Sequence, residues 1–129
     1  MLDGQVYGHT IQVAAQVVEE PTVDEIGAAV QTLKLLADDT RLRIIWNLLH
    51  GEHSVNELAD HLSMQAAAVS HHLAKLRLAG VVTTRREGNR IYYAAHDDHV
   101  EALVQEALHH AEHLGVGPAR HHRSRARRA

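Results

Sequence analysis

The chain has 129 residues, 45% of them hydrophobic and only 3% aromatic, with a formal net charge of −3. That length suits one domain around a modest aliphatic core, and the absence of Cys excludes disulfides, thiolate metal sites and cysteine nucleophiles. The sequence has no apolar run near the ~20 residues that span a bilayer and no basic stretch like that of a signal peptide, so a cytoplasmic location is expected.

Residues 1–20 read as a mobile arm or a short helix over Ile11 to Val18, with His9 as a stray donor. Pro21, Thr22 and Glu25 then open the first firm helix. Thr22 and Glu25 have the spacing of a capping box, and Ile26, Val30, Leu33 and Leu36 follow as an apolar stripe. A second helix starts at Asp39 or Thr40, buries Leu42, Ile45, Trp46 and Leu49, and ends at Gly51. Ser54 and Glu57 form another capping box, opening a third helix that runs to Leu62 with Val55, Leu58 and Leu62 inward. A short break at Ser63-Met64 leads to a fourth helix from Gln65 to Ala79, with Val69, Leu73, Leu76 and Leu78 as its apolar residues.

Two short helices joined tightly, the second turning Ser, His, Lys and Arg outward, predict a helix-turn-helix. Gly80 closes the fourth helix. Val81 to Arg86 and Arg90 to Ala95 are rich in β-formers and flank Glu87-Gly88-Asn89, which predicts a β-hairpin. A hairpin with a basic tip directly after a helix-turn-helix makes a winged helix. The expected fold is therefore mainly α with a β-hairpin wing, over residues 21–115.

Charge distribution agrees. Lys75, Arg77, Arg85, Arg86 and Arg90 crowd the fourth helix and the wing, whereas the first half of the chain is acidic. These five are expected on phosphates, and Gln65, Ser70 and His71 on base edges. Of His71 and His72, one is expected to reach DNA and the other to pack. Residues 116–129 form a basic, low-complexity tail, expected to be disordered.

The last helix, Asp97 to His113, has Val100, Leu103, Val104, Ala107 and Leu108 as its apolar face. It also carries Asp97-x-His99 near one end and His110-x-x-His113 near the other. Eleven residues put His99 and His110 on one face but roughly 16 Å apart, too far for one ion. Two copies packed antiparallel across a two-fold axis would bring Asp97 and His99 of one chain to His110 and His113 of the other. An ordinary amphipathic dimer helix is the competing reading of the same spacing.

Taken in order, Leu36-Ala-Asp-Asp-Thr-Arg-Leu42, Val69-Ser-His-His-Leu-Ala-Lys-Leu76, Gly88-Asn-Arg-Ile-Tyr-Tyr93 and the Asp97-x-His99…His110-x-x-His113 set resemble the ArsR/SmtB family of metal-responsive winged-helix repressors. The resemblance spans roughly residues 24–114. It implies a homodimer paired through its first and last helices and bound to an inverted repeat of operator DNA. It also implies metal at Asp97, His99, His110 and His113 that lowers DNA affinity and derepresses an efflux or sequestration gene. One departure stands out: many relatives carry a Cys-containing box on the third helix, where this chain has Ser54-Val-Asn-Glu-Leu58. Oxygen and nitrogen donors suit zinc, nickel or cobalt. A closed four-ligand site puts zinc first; octahedral nickel would draw on His9, His109, His121 or His122.

Three other functions are compatible with parts of the same pattern. The first is a winged-helix regulator that senses no metal, and the second a passive metal buffer. The third is an enzyme using Ser70-His71-His72, which is disfavoured because neighbours on a helix point ~100° apart.

Overall fold

The structure is a computed structural model that describes residues 10–13 and 16–116. The expectations for His9, His121, His122 and the basic tail from residue 117 lie outside the described residues. The chain divides into two compact units, one ending at Leu36 and one starting at Ala37.

The first unit holds β1 (Thr10–Val13), β2 (Gln16–Glu19) and α1 (Val23–Leu36). The strands pair antiparallel, Thr10 opposite Glu19 and Val13 opposite Gln16. A hairpin thus replaces the arm or short helix expected at Ile11 to Val18. The reason is local: Ile11-Gln12-Val13 alternates with period two, and β-branched residues favour strands. The first capping box forms as expected, with Thr22 N donating to Glu25 Oε1 at 2.9 Å and Glu25 N to Thr22 Oγ1 at 3.1 Å. The α1 stripe stays open, however. Ile26 is 51% exposed, Val30 39% and Leu33 52%.

The second unit holds α2 (Asp39–Leu48), α3 (Val55–Leu62), α4 (Ala66–Leu78), β3 (Val82–Glu87), β4 (Arg90–Ala95) and α5 (Asp98–His113). Helix α2 is capped by Asp38, whose carboxylate accepts the backbone N–H of Arg41 at 2.9 Å. That bond holds the Asp38 carboxyl below its ordinary range. The α2 core face is Ile44, Ile45 and Leu48; Leu42 and Leu49 are only half-buried and Trp46 is 47% exposed. Of the four residues expected inside, Ile45 alone is fully buried, and Trp46 lies about 150° from the centre of the buried face.

Helix α3 begins with a complete Ser54–Glu57 capping box and buries Leu58, Ala59 and Leu62. It ends at Ser63, which adopts φ 54. This left-handed residue makes the sharp turn of the helix-turn-helix, with Met64 N bonded to Ala59 O at 3.0 Å. In α4, Val69, Leu73 and Leu76 are fully buried, while Leu78 is 90% exposed. The wing pairs Val82 with Ala95 through to Glu87 with Arg90, around a two-residue turn whose Gly88 takes φ 62. His53 and Tyr93 exchange backbone hydrogen bonds of 3.0 and 2.8 Å, tying the α2–α3 loop to β4. Helix α5 buries Val100 and Val104 alone; Leu103 is 40% exposed and Ala107 also open. No helix among the described residues is long and apolar enough to cross a membrane.

Candidate DNA interface and metal centre

The buried residues of α4 define its inner side, so the opposite side can be read from the helical angle. Ala67, His71, Ala74 and Leu78 lie about 135–170° from the centre of Val69, Leu73 and Leu76, Lys75 about 125° and Ser70 about 95°, and all are exposed. Ser70, His71 and Lys75 are therefore all open to solvent, with Ser70 and Lys75 on opposite sides of His71. Arg77 lies on the Ser70 side, about 75° from the buried centre, and Gln65 precedes the helix as an exposed cap residue with no side-chain cap bond. The sequence reading missed Ala67 and Ala74, although their spacing from Ser70 and His71 was visible. His72 turns away. Its Nδ1 accepts from Arg41 Nη1 at 3.3 Å, fastening α4 to α2. That leaves His71 as the outward histidine.

The wing arginines differ from one another. Arg90 is exposed and lines a cavity of about 530 Å³ together with Ser70, Asn56 and Asn89. The wing and α4 thus flank one recess. Arg86 Nε donates to Gly88 O at 3.3 Å and makes no ion pair among the described residues. Arg85 is held: Nη2 lies 2.8 Å from Glu52 Oε1 and Nη1 3.2 Å from Glu87 Oε1. Its guanidinium also stands 4.9 Å over the Tyr92 ring. The Arg85 hydrogen bond keeps the Glu52 carboxyl below its ordinary range.

On α5 the candidate ligands occupy one exposed face. His99, His110 and His113 project about 120° away from Val100 and Val104, with half-exposed Leu103 between them. Glu106 falls on this face too, one helical repeat of seven beyond His99, and sequence reasoning overlooked it. Asp97 is not inside the helix as expected. It is the N-cap, and its Oδ1 accepts from His99 N at 2.8 Å and Val100 N at 3.1 Å. Those bonds fix the carboxylate through one oxygen, and Oδ2 makes no hydrogen bond among the described residues. His113 stacks on His109 with ring centroids 4.8 Å apart. Among the described residues of one chain, no group of three or more His, Asp or Glu stands close enough to hold a metal ion. The donor set still suits a borderline divalent ion: a hydrogen-bonded carboxylate oxygen and exposed imidazoles, with no thiolate.

A family model described as bacterial regulatory protein, arsR family, matches residues 38–84, from the cap of α2 into β3. The HTH-type transcriptional regulator KmtR of Mycobacterium tuberculosis is 46% identical over 101 residues, covering 78% of this chain and 78% of its own length. The cadmium resistance transcriptional regulatory protein CadC homolog of Staphylococcus aureus is 39% identical over 89 residues, covering 67% of this chain and 74% of its own. Among solved structures, the homodimeric winged helix-turn-helix DNA-binding domain of Mb0332 from Mycobacterium bovis matches with TM-score 0.64 at 33% identity, covering 70% of this chain and 84% of that one.

Proposed function

The chain belongs to the arsR family of bacterial regulatory proteins, and from that premise we propose that it is a metal-responsive transcriptional repressor. Its homodimer binds an inverted repeat in operator DNA. Helix α4 enters the major groove through Ser70, His71 and Lys75, and Arg86, Arg90 and Arg77 take flanking phosphates. Gln65 reads a base edge at the start of the helix. The protein is a binding module of the cytoplasm, not an enzyme.

The observation that carries the metal reading is the exposed histidine face of α5, backed by a carboxylate already fixed at the helix start. Asp97 and His99 of one copy and His110 and His113 of the other hold the ion, zinc ahead of nickel or cobalt. A bound ion supplies a crosslink between the paired α5 helices. The link sets the angle between protomers and thereby the spacing of the two α4 helices. DNA demands half-sites about one turn apart, so a changed spacing lowers affinity. Metal must favour the released form, with a coupling on the order of 1–3 kcal/mol or more. The open stripes of α1 and α5 support pairing through both helices, since one copy leaves Ile26, Leu33 and Leu103 substantially in solvent. The cadmium resistance regulator among the relatives supports metal as the effector class.

An operator-binding titration tests this. A DNA duplex selected by the metal-free protein is titrated with zinc, nickel and cobalt. Release by at least one ion is expected. Binding that no ion alters would leave a winged-helix regulator without metal sensing.

A further inference from the structure

Among the wing arginines, Arg85 is the one in ion pairs. Its Nε lies 3.1 and 3.2 Å from the two oxygens of Glu52, its Nη2 2.8 Å from Oε1, and its Nη1 3.2 Å from Glu87. Two carboxylates thus flank one guanidinium, so the local charge is negative where a phosphate would have to sit. To reach DNA, Arg85 would have to give up a bidentate pair, its bond to Glu87 and its place over the Tyr92 ring.

The location of Glu52 gives the pair another meaning. Glu52 precedes His53 in the loop between α2 and α3, and His53 exchanges two backbone hydrogen bonds with Tyr93 of β4. Arg85 belongs to β3, opposite Tyr92. The loop therefore grips both strands of the wing, β4 through its backbone and β3 through a side-chain fork. Exposed ion pairs add little to global stability, and these side chains are 48% and 41% exposed. What a planar, bidentate fork does fix is orientation.

We infer that Glu52 and Arg85 form a positioning clamp that sets the wing's angle against the helix-turn-helix, and that Arg86 and Arg90 carry the wing's phosphate contacts. This rests on the DNA-binding reading above.

The two roles for Arg85 make opposite demands on Glu52. If Arg85 reached phosphate, Glu52 would compete with DNA, and Glu52→Ala would tighten binding. If the pair is a clamp, the same substitution weakens binding although it removes a negative charge from a DNA-facing surface.

The test uses a duplex of about 30 base pairs, selected from a random pool by the wild-type protein, with affinity measured by anisotropy between about 50 and 200 mM salt. Glu52→Ala and Arg85→Ala are each expected to lower affinity about tenfold, the size of a pairwise coupling, with the salt slope unchanged. Arg86→Ala and Arg90→Ala are expected to flatten the slope by about two per dimer, one lost contact per protomer. The charge-swapped double variant, Glu52→Arg with Arg85→Glu, is expected to recover affinity that Arg85→Glu alone loses. Tighter binding by Glu52→Ala, a flattened slope for Arg85→Ala, or a swap without rescue overturns the clamp. A pool from which the wild type selects nothing overturns the DNA-binding reading itself, and the clamp with it.

Discussion

The Asp97 carboxylate accepts the backbone N–H of His99 at 2.8 Å, so the residue that caps α5 also orders the turn that bears a candidate ligand. Capping and ligation can be separated by substitution. Asn caps a helix about as well as Asp but brings no negative charge to a metal. Asp97→Asn is therefore expected to keep its thermal stability while losing metal-dependent release. Asp97→Ala should lose release and also about 1 kcal/mol of stability. Equal metal response in wild type and Asp97→Asn would remove Asp97 from the ligand set.

The stripe on α1 makes a second prediction. Val23 is 86% exposed, Ile26 51% and Leu33 52% in a single copy. A charge placed there meets water in the monomer and an apolar partner in the dimer. Ile26→Glu with Leu33→Glu is expected to give a folded monomer by sedimentation, with far weaker DNA binding. A dimer of wild-type strength would place the interface elsewhere.

Acid sensitivity follows from two carboxylates. Asp38 titrates below its ordinary value because the Arg41 backbone N–H bonds it, and Glu52 because Arg85 does. A depressed folded value means stability present above the unfolded value and lost as pH falls through the folded one. For Asp38 that window opens at its unperturbed 3.8 and runs downward. Asp38→Ala should therefore cost about 1 kcal/mol in urea unfolding at neutral pH. That cost should shrink once the pH falls below the window. A cost independent of pH would mean that the cap acts without its charge.

Much of the architecture could be read from the chain itself, and the failures have definite causes. Both capping boxes, the turn at Ser63-Met64 and the Gly88-Asn89 wing turn are local, so local chemistry announces them. The buried side of α2 is not local. Leu42, Ile45, Trp46 and Leu49 make a plausible stripe, but packing selected Ile44, Ile45 and Leu48. Apolar residues open to solvent look the same in sequence as those that fill a core, which is why the α2 pattern points Trp46 inward although it is 47% exposed. The candidate ligands could be placed on one face of α5 by spacing alone, whereas the Glu52–Arg85 contact joins positions 33 residues apart and leaves no periodic trace. Spacing puts Asp97 inside the helix, whereas its carboxylate caps the helix through the His99 and Val100 backbone N–H groups.

Mixed dimers test the shared site most directly. One chain carries Asp97→Ala with His99→Ala, the other His110→Ala with His113→Ala. Neither homodimer retains a complete ligand set, but the mixed dimer retains one, built from the intact end of each chain. Zinc stoichiometry is measured by equilibrium dialysis on the separate proteins and on the tagged, purified mixed dimer. Little or no tight zinc on either homodimer and one ion per mixed dimer is the expected result. Tight zinc on either homodimer, or none on the mixed dimer, would contradict a site assembled between two α5 helices.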